Sequence, residues 1–346
     1  MGDASRTTIA EIAKIARVSV PTVSKVLNGR TGVSEETRKR VNGLLEQHNY
    51  RRRGTARRNR VGLIDFVVRN LDTVWSMPLV AGAEREAVRH GFNLVVTSME
   101  RRTVGTQQWI RQLATRRTDA VVLVVSEVRP WALNELLKLN VPVVLLDPVG
   151  IASVALPAVS ATNWAGGVTA TEHLIGLGHR RIGIITGPEE LMCARERRDG
   201  YRSALAHAGI AHDPELEVVG DFLPGTGYDL TKQLLALPDP PTAIFACADR
   251  AAAGVYKAAH ELGRCIPQDL SVVGFDDVVV AEWLEPPLTT VRQPLEHMAR
   301  EAIRAAVELI NGAEPEHSRR ELATSLVVRA STVPLPSGTR GSEPPH

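Results

Sequence analysis

Cysteine and long apolar runs are both scarce in this chain of 346 residues. Its three cysteines, Cys193, Cys247 and Cys265, are too few and too scattered for a disulfide framework or a metal cage. The longest apolar runs, Ala120–Val125 and Ala243–Ala248, have six residues, whereas a membrane-spanning helix needs ~18 or more. The first residues also lack the apolar stretch of a signal peptide. We therefore expect a cytoplasmic protein with no membrane segment.

The formal net charge of +2 conceals a strongly uneven distribution of charge. Residues 1–60 carry 14 Lys and Arg but only 5 Asp and Glu, which makes +9. The remaining residues carry 27 basic and 34 acidic side chains, which makes −7. A basic N-terminal part on an acidic body indicates a polyanionic partner at the N-terminus, above all nucleic acid. The alternative is a run of solvated charges.

Apolar residues recur at helical spacing in three short segments of the N-terminal part. The first segment carries them at Ile9, Ile12, Ala13 and Ala16. Ser19 is a suitable N-cap for a second helix and Ser34 for a third. Asn28-Gly29 is typical of the end of the second helix. Three short helices with a tight link between the first two predict a small all-α helix-turn-helix head over residues 1–50.

The residues of this head closely resemble the lactose-repressor (LacI/GalR) family of bacterial transcription factors. The resemblance rests on Thr8–Ala13, Val18–Asn28, Val33–Arg38 and His48–Tyr50. It implies that the second helix lies in the major groove of double-stranded operator DNA, with its first side chains on base edges. The DNA-contacting residues expected from it are Thr8, Ser19, Val20, Pro21, Thr22, Ser24, Lys25, Asn28, Tyr50, Arg51, Arg52 and Arg53.

Val20, Pro21 and Lys25 are expected to contact the bases, Val20 through a thymine methyl group. The chain departs from the family pattern in two places. Arg17 stands where the turn between the helices usually has Gly, which predicts backbone strain. The linker 51–60 contains six Arg and no Leu and is shorter than the hinge helix of relatives. We therefore expect an extended linker that lays Arg side chains along DNA phosphates or in a narrow minor groove.

Beyond the linker, apolar segments of strand length alternate with amphipathic segments of helix length. The predicted strands are Val61–Val68, Asn93–Thr97, Ala120–Val125, Val143–Leu146, Ile182–Thr186, Ala243–Cys247 and Ser271–Phe275. The predicted helices include Leu79–His90, Thr106–Arg117, Trp164–Leu177, Arg195–Ala208 and Ala251–Leu262. Such alternation indicates parallel sheets covered by helices on both faces, here in two lobes because the series is too long for one sheet.

The family resemblance continues more loosely to about residue 333, through segments such as Gly176–Gly183 and Ser271–Asp277. It implies an α/β two-lobed periplasmic-binding-protein-like core over residues 61–333, with three chain crossovers between the lobes. Lobe one is expected to take 61–159 and 292–322, and lobe two 160–291 and a last strand near Ser325–Arg329. Residues 334–346 are expected to form a disordered tail.

A small molecule is expected between the lobes, at the carboxyl ends of the strands. The resemblance assigns Arg197 to ligand hydroxyls or carboxylates and Asp276 to paired hydroxyls. The resemblance also assigns Asp249, and the other residues are nominated by their position after strands or by their aromatic rings. The candidate ligand-binding residues are Trp75, Ser126, Asp147, Arg197, Phe222, Asp249 and Asp276. Relatives often have Asn at position 248, where this chain has Ala248, so its ligand can differ from theirs.

Four of these candidates also have a simpler interpretation. Arg197 lies in a highly charged segment typical of a solvated helix face, and Asp276 is placed to cap a following helix. Phe222 and Trp75 are equally suited to core packing. The Arg–Asp pair suits a sugar effector, and a purine-type ligand remains open.

No enzyme motif accompanies these residues. The chain has no Gly-x-x-x-x-Gly-Lys loop, no Gly-x-Ser-x-Gly elbow and no His-Glu-x-x-His, and we expect neither a cofactor nor a metal ion. The sequence predicts a ligand-responsive repressor that binds a pseudo-palindromic operator as a homodimer. The alternatives are a solute-binding module and a sugar-processing enzyme of similar form.

Overall fold

A computed structural model of the protein describes residues 9–27, 33–47, 60–71, 73–99, 105–124, 130–148, 150, 156–313 and 319–335. These residues fall into two units, which meet in sequence between Asn59 and Arg60, within the predicted linker. We call them the head and the core.

The head contains three helices in its described part, α1 (Ile9–Ala16), α2 (Val20–Leu27) and α3 (Glu35–Gln47). Their apolar stripes meet in a small core around Ile12, Val23 and Val41, each fully buried. The predicted caps are confirmed: the backbone N–H of Thr22 donates to Ser19 Oγ (3.3 Å), and Ser34 caps α3 in the same way.

Arg17 forms the turn between α1 and α2 and has φ +51°. This is the left-handed region that glycine adopts without cost and that costs other residues roughly 1–2 kcal/mol. The strain predicted from the missing glycine is therefore present.

The described part of the core contains two sheets flanked by nine helices. The strands of lobe one are β1 (Leu63–Val68), β2 (Asn93–Ser98), β3 (Ala120–Val124), β4 (Val143–Leu146), β5 (Ala158–Ala161) and β11 (Arg319–Leu322). Those of lobe two are β6 (Ile182–Thr186), β7 (Glu217–Val219), β8 (Ala243–Ala246), β9 (Ser271–Asp276), β10 (Thr289–Arg292) and β12 (Ser325–Val327). The helices are α4 (Ser76–Arg89), α5 (Gly105–Arg116), α6 (Pro130–Lys138), α7 (Asn163–Gly176), α8 (Met192–His207), α9 (Pro224–Leu235), α10 (Asp249–Glu261), α11 (Val280–Trp283) and α12 (Leu295–Ile310).

The two sheets have matching strand orders, β2-β1-β3-β4-β5-β11 and β7-β6-β8-β9-β10-β12. Every pairing is parallel except that of β10 with β12. β1, β3, β8 and β9 are buried almost throughout because helices cover both faces. The two-lobed α/β architecture predicted from the alternating pattern is confirmed.

The chain crosses between the lobes three times. It crosses after β5, after β10 and between β11 and β12. The first crossover follows Ala161 and the second follows Arg292, so the first lies two residues later than expected. Lobe one is completed by α12, whose Met298 and Ile303 are fully buried against its sheet.

The expected tail begins with residues that the structure describes. The backbone N–H of Leu335 donates to the carbonyl of Leu177 at the end of α7 (2.8 Å). Residues 336–346, the rest of that expected tail, lie outside the described residues. Within the described ranges, no helix is both long and apolar enough to cross a bilayer.

Glycine lets neighbouring helices pack at backbone contact distance. A Cβ at Gly167 of α7 would overlap the carbonyl oxygen of Arg197 in α8, and one at Gly200 of α8 would overlap that of Trp164. The same arrangement recurs for α9 with α10 and for α4 with α12, at Gly227, Gly254 and Gly82. The position of Arg197 is therefore set by the close approach of α8 to α7.

We expect Gly167→Ala to lower the free energy of unfolding by about 1–3 kcal/mol, because the added methyl group forces α7 and α8 apart. The matched control on the same helix is Gly176→Ala, where a Cβ meets no atom within 4 Å. That substitution should be neutral or stabilise by up to about 1 kcal/mol. Urea unfolding followed by circular dichroism measures both, and equal effects of the two substitutions would contradict the packing argument.

Candidate functional site

A cavity of about 260 Å³ lies between the lobes at the carboxyl ends of the strands. Its walls come from the loops that follow β1, β4, β6, β7 and β8, from the ends of β3 and β9, and from the first turns of α4, α8 and α10. The lining residues are Arg69, Asn70, Thr73, Trp75, Ser76, Val124, Asp147, Pro188, Leu191, Cys193, Arg197, Asp221, Phe222, Leu223, Ala248, Arg250 and Asp276. A cleft of this kind, mostly apolar with a few converging charged groups, is typical of a small-molecule site.

Five of the seven ligand-binding candidates line this cavity: Trp75, Asp147, Arg197, Phe222 and Asp276. They come from both lobes and are separated by up to 201 positions in the sequence. A sixth candidate, Ser126, lies outside the described residues.

The seventh candidate, Asp249, is not among the lining residues, which corrects the expectation for this position. It is fully buried, and its Oδ1 accepts from Thr290 Oγ1 (2.5 Å) while Oδ2 accepts from the N–H of Val278 (2.9 Å). Both oxygens are thus used to tie α10 to the β9–α11 loop and to β10. Asp249 therefore stabilises the packing of α10 within lobe two.

Arg197 is the central cation of the cavity and is only 3% exposed. Its Nε donates to Asn163 Oδ1 (2.9 Å) and its Nη1 to the carbonyl of Cys247 (2.7 Å). Its guanidinium stacks over the ring of Phe275, 3.8 Å from the centroid. These contacts hold the guanidinium plane rigidly, and no described group accepts from Nη2, which leaves that edge for a ligand.

Two buried carboxylates accompany Arg197. Asp276 Oδ1 lies 3.7 Å from Arg197 Nη1 and accepts from Gln293 Nε2 at 2.6 Å. Burial raises the pKa of Asp276 to about 6 although the guanidinium of Arg197 opposes the shift. Burial likewise raises the pKa of Asp147, again against the charge of Arg197. Hydroxyl groups of a ligand would add hydrogen bonds to these desolvated carboxylates.

Backbone strain is concentrated at the same place. Asp147, Phe222 and Asp276, all cavity residues, have φ values of +51°, +66° and +115°. Non-glycine residues in this region are uncommon, and they cluster at binding sites where the surrounding fold enforces them. The strain therefore supports the assignment of these three residues to a functional site.

Several lining residues escaped the sequence-based prediction, above all Arg69, Cys193, Asp221 and Arg250. Arg69 directly follows β1, and Arg250 lies four residues after the end of β8. The rule that selected Asp147, a polar residue at the carboxyl end of a strand, also applies to them. Burial raises the pKa of the Cys193 thiol, so this cysteine is a neutral part of the wall.

In the head, α2 presents a candidate DNA-binding surface. Val20, Pro21 and Lys25 are exposed, Val20 to 41%, whereas Val23 is fully buried in the core of the head. Ser19 and Thr22 lie at the start of the helix with their hydroxyl oxygens 2.8 Å apart. Ser24 lies within α2. The remaining expected contacts lie outside the described residues: Thr8, Asn28, Tyr50, Arg51, Arg52 and Arg53.

Comparison with known proteins identifies the family of the chain. The family model described as bacterial regulatory proteins, lacI family, matches residues 8–53, and that of a periplasmic binding protein-like domain matches residues 171–332. The HTH-type transcriptional repressor CytR of Escherichia coli K12 is 31% identical over 332 residues, 95% of this chain and 97% of that protein. The chain belongs to the LacI family.

Two solved structures are similar to nearly the whole chain. The complex of the transcriptional regulator CelR with cellobiose is 34% identical with a TM-score of 0.73, covering 94% of this chain and all of that one. The lac repressor dimer bound to operator and the anti-inducer ONPF is 27% identical with a TM-score of 0.70, covering 95% and 100%. This LacI-family protein is a DNA-binding transcriptional regulator.

The raised pKa of Asp276 predicts a pH dependence of the stability of this LacI-family protein. Its carboxyl keeps a proton up to about pH 6 in the folded state, whereas the unfolded chain releases it near pH 3.8. Ionised Asp276 therefore destabilises the fold above pH 6, and this cost disappears as the pH falls from 6 to 4. Asp276→Asn removes this cost. The free energy of unfolding of the variant minus that of the wild type should therefore be larger at pH 7.5 than at pH 4.5, by on the order of 1–3 kcal/mol. Urea unfolding at both pH values measures this difference, and a pH-independent difference would contradict it.

Proposed function

We propose that the protein is a ligand-responsive transcriptional repressor that binds a pseudo-palindromic operator as a homodimer. Its effector is a small molecule of the sugar class, bound in the cavity between the lobes. The observation that carries this proposal is the Arg197–Asp276–Asp147 cluster, which lies in an interlobe cavity of a chain that also contains an exposed recognition helix. Both lac repressor and CelR, the one bound to operator as a dimer and the other to cellobiose, are built on this fold.

DNA recognition rests on the exposed side of α2. Val20 offers a methyl surface for thymine, and the ammonium of Lys25 is a donor for guanine O6 or N7. Thr8, Ser19, Thr22, Ser24 and Asn28 supply polar groups for phosphates, together with Tyr50. Because a lysine is a mobile point charge, we expect it to discriminate between bases less sharply than an arginine would.

The arginines of the linker, Arg51, Arg52 and Arg53 among them, are proposed to contact phosphates or a narrow minor groove. Without a leucine to insert between base steps, the linker has no wedge with which to kink the duplex. The operator should therefore be bent less than one bound by a hinge-helix relative. Because its head and linker carry the proposed DNA-binding residues, we place the protein in the cytoplasm, associated with the nucleoid.

Effector recognition rests on Arg197, Asp276 and Asp147, with Trp75 and Phe222 as flat apolar surfaces for a sugar ring. A planar guanidinium or carboxylate binds two vicinal oxygens at once, which suits a polyol better than an isolated hydroxyl. By linkage, an effector that weakens operator binding also binds less tightly to the DNA-bound protein. A purine-type effector is the second candidate, since the aromatic surfaces also suit a base.

The proposal is tested by fluorescence anisotropy on DNA from upstream of the protein's own gene, with and without a panel of sugars. We expect tight, salt-sensitive binding that one sugar changes. Binding that no sugar changes would reject the sugar class and favour the purine candidate. An absence of DNA binding at low salt would overturn the proposed function.

Two substitutions should separate the two sites. Lys25→Ala is expected to weaken operator binding about tenfold or more, while the change of tryptophan fluorescence on adding the active sugar persists. Asp276→Ala is expected to do the reverse, with operator affinity kept and the sugar response lost. Simultaneous loss of both properties in Asp276→Ala would show that Asp276 serves the fold rather than the effector.

A further inference from the structure

Two arginines line the cavity without an ion-pair partner in the described parts of the chain. Arg69 projects from lobe one, after β1, and is exposed. Arg250 projects from lobe two, in the first turn of α10, and is half-buried. The third arginine among the described cavity residues, Arg197, is engaged by Asn163 and by the carbonyl of Cys247. Two unpaired guanidinium groups facing one cavity from opposite lobes indicate a negatively charged group in the ligand.

The charges of the cavity are separated along its depth. The inner group consists of three buried residues, Arg197, Asp147 and Asp276. Its net charge is −1 when both carboxyl groups are ionised. The outer group is Arg69, Arg250 and Asp221, and it carries +1; the Asp221 carboxylate already accepts from the N–H of Leu223 (2.9 Å). No other described lining residue is charged.

This separation dictates the orientation of a ligand. The inner carboxylates accept hydrogen bonds from hydroxyl groups and repel an anion, while the outer guanidinium groups attract one. Arg250 also lies near enough to Asp276 for its charge to oppose the rise in the pKa of that carboxyl. At the start of α10, Ala248 offers only a methyl group to the cavity. Of the described cavity residues at this end of α10, Arg250 is therefore the one with a polar side chain.

We propose that the effector is an anionic monosaccharide, with its hydroxyl groups at Arg197 and Asp276 and one anionic group held by Arg69 and Arg250. This deepens the proposed function and rests on it. The anionic group is a phosphate ester or a carboxylate, since both accept hydrogen bonds from guanidinium groups. The cavity of about 260 Å³ is small beside the ~300–1,000 Å³ of most ligand sites, which favours one sugar ring over two.

The test measures binding of matched sugars to the full-length protein by calorimetry and tryptophan fluorescence. Each set contains a neutral sugar, its terminal phosphate and, for hexoses, its uronic acid: glucose, glucose 6-phosphate and glucuronate, the corresponding galactose and mannose sets, and ribose with ribose 5-phosphate. In one set we expect the anionic sugar to bind roughly tenfold or more tightly than its neutral parent. The preferred anion distinguishes a phosphate from a carboxylate ligand, and inorganic phosphate alone should bind weakly.

Arg69→Gln and Arg250→Gln should each lower the ratio of anionic to neutral affinity, and the double variant should bring it close to one. Arg264→Gln, which alters an exposed arginine just beyond α10, is the control and should keep the ratio. A preserved ratio in the double variant, equal affinity for neutral and anionic sugars, or no binding of any anionic sugar would overturn the inference. Operator release by a neutral sugar would overturn the inference and leave the proposed function standing. Absent operator binding would overturn the proposed function, and with it the role of the anionic sugar as an effector, even where the preference for the anionic sugar is measured.

Discussion

The burial of Arg197 is the constraint on which the ligand-binding core depends. A guanidinium taken out of water is costly unless every face of it is satisfied. Here Asn163 and the Cys247 carbonyl accept its protons, Phe275 covers one face, and Asp147 and Asp276 supply opposite charge. Asn163, Cys247, Phe275 and Asp276 belong to lobe two, and Asp147, directly after β4, belongs to lobe one. The opposite charge around Arg197 is therefore complete only when both lobes are assembled.

The same contacts connect the cavity to the segments in which the chain changes lobe. Asn163 follows the first crossover, and Gln293, which donates to Asp276, lies in the second. The third is joined to the first by Thr324, whose backbone N–H donates to Thr162 Oγ1 (3.0 Å). A ligand that displaces Arg197 or Asp276 therefore acts directly on the crossovers. This offers a physical route from effector binding to a change in lobe orientation.

Periodicity and composition predicted the parts of the fold that are long and uniformly buried. β3, β8 and β9 were predicted from apolar runs. β5, β7, β10 and β11 were not predicted, because segments of three or four residues carry no distinct period, and β12 was expected only through the family resemblance. Arg197 and Asp276 were predicted through motifs. Arg69 and Arg250 were not, because each looks like an ordinary surface charge until the lobes bring them to one cavity. Asp249 was predicted at the cavity and does not line it. Its hydrogen-bond partners, Thr290 and Val278, lie far away in the sequence, so the sequence does not reveal that its carboxylate is already engaged.

The interleaving of the lobes has a consequence for synthesis on the ribosome. Lobe one begins at β1, yet α12 and β11, which complete its hydrophobic core and its sheet, are made after nearly all of lobe two. Until then Leu146 and Val159 face water on the side that Met298 and Ile303 later cover. Neither lobe can finish folding before the last strands emerge, so the nascent chain must keep two incomplete sheets apart. Early termination of translation would leave both lobes open, not one lobe intact.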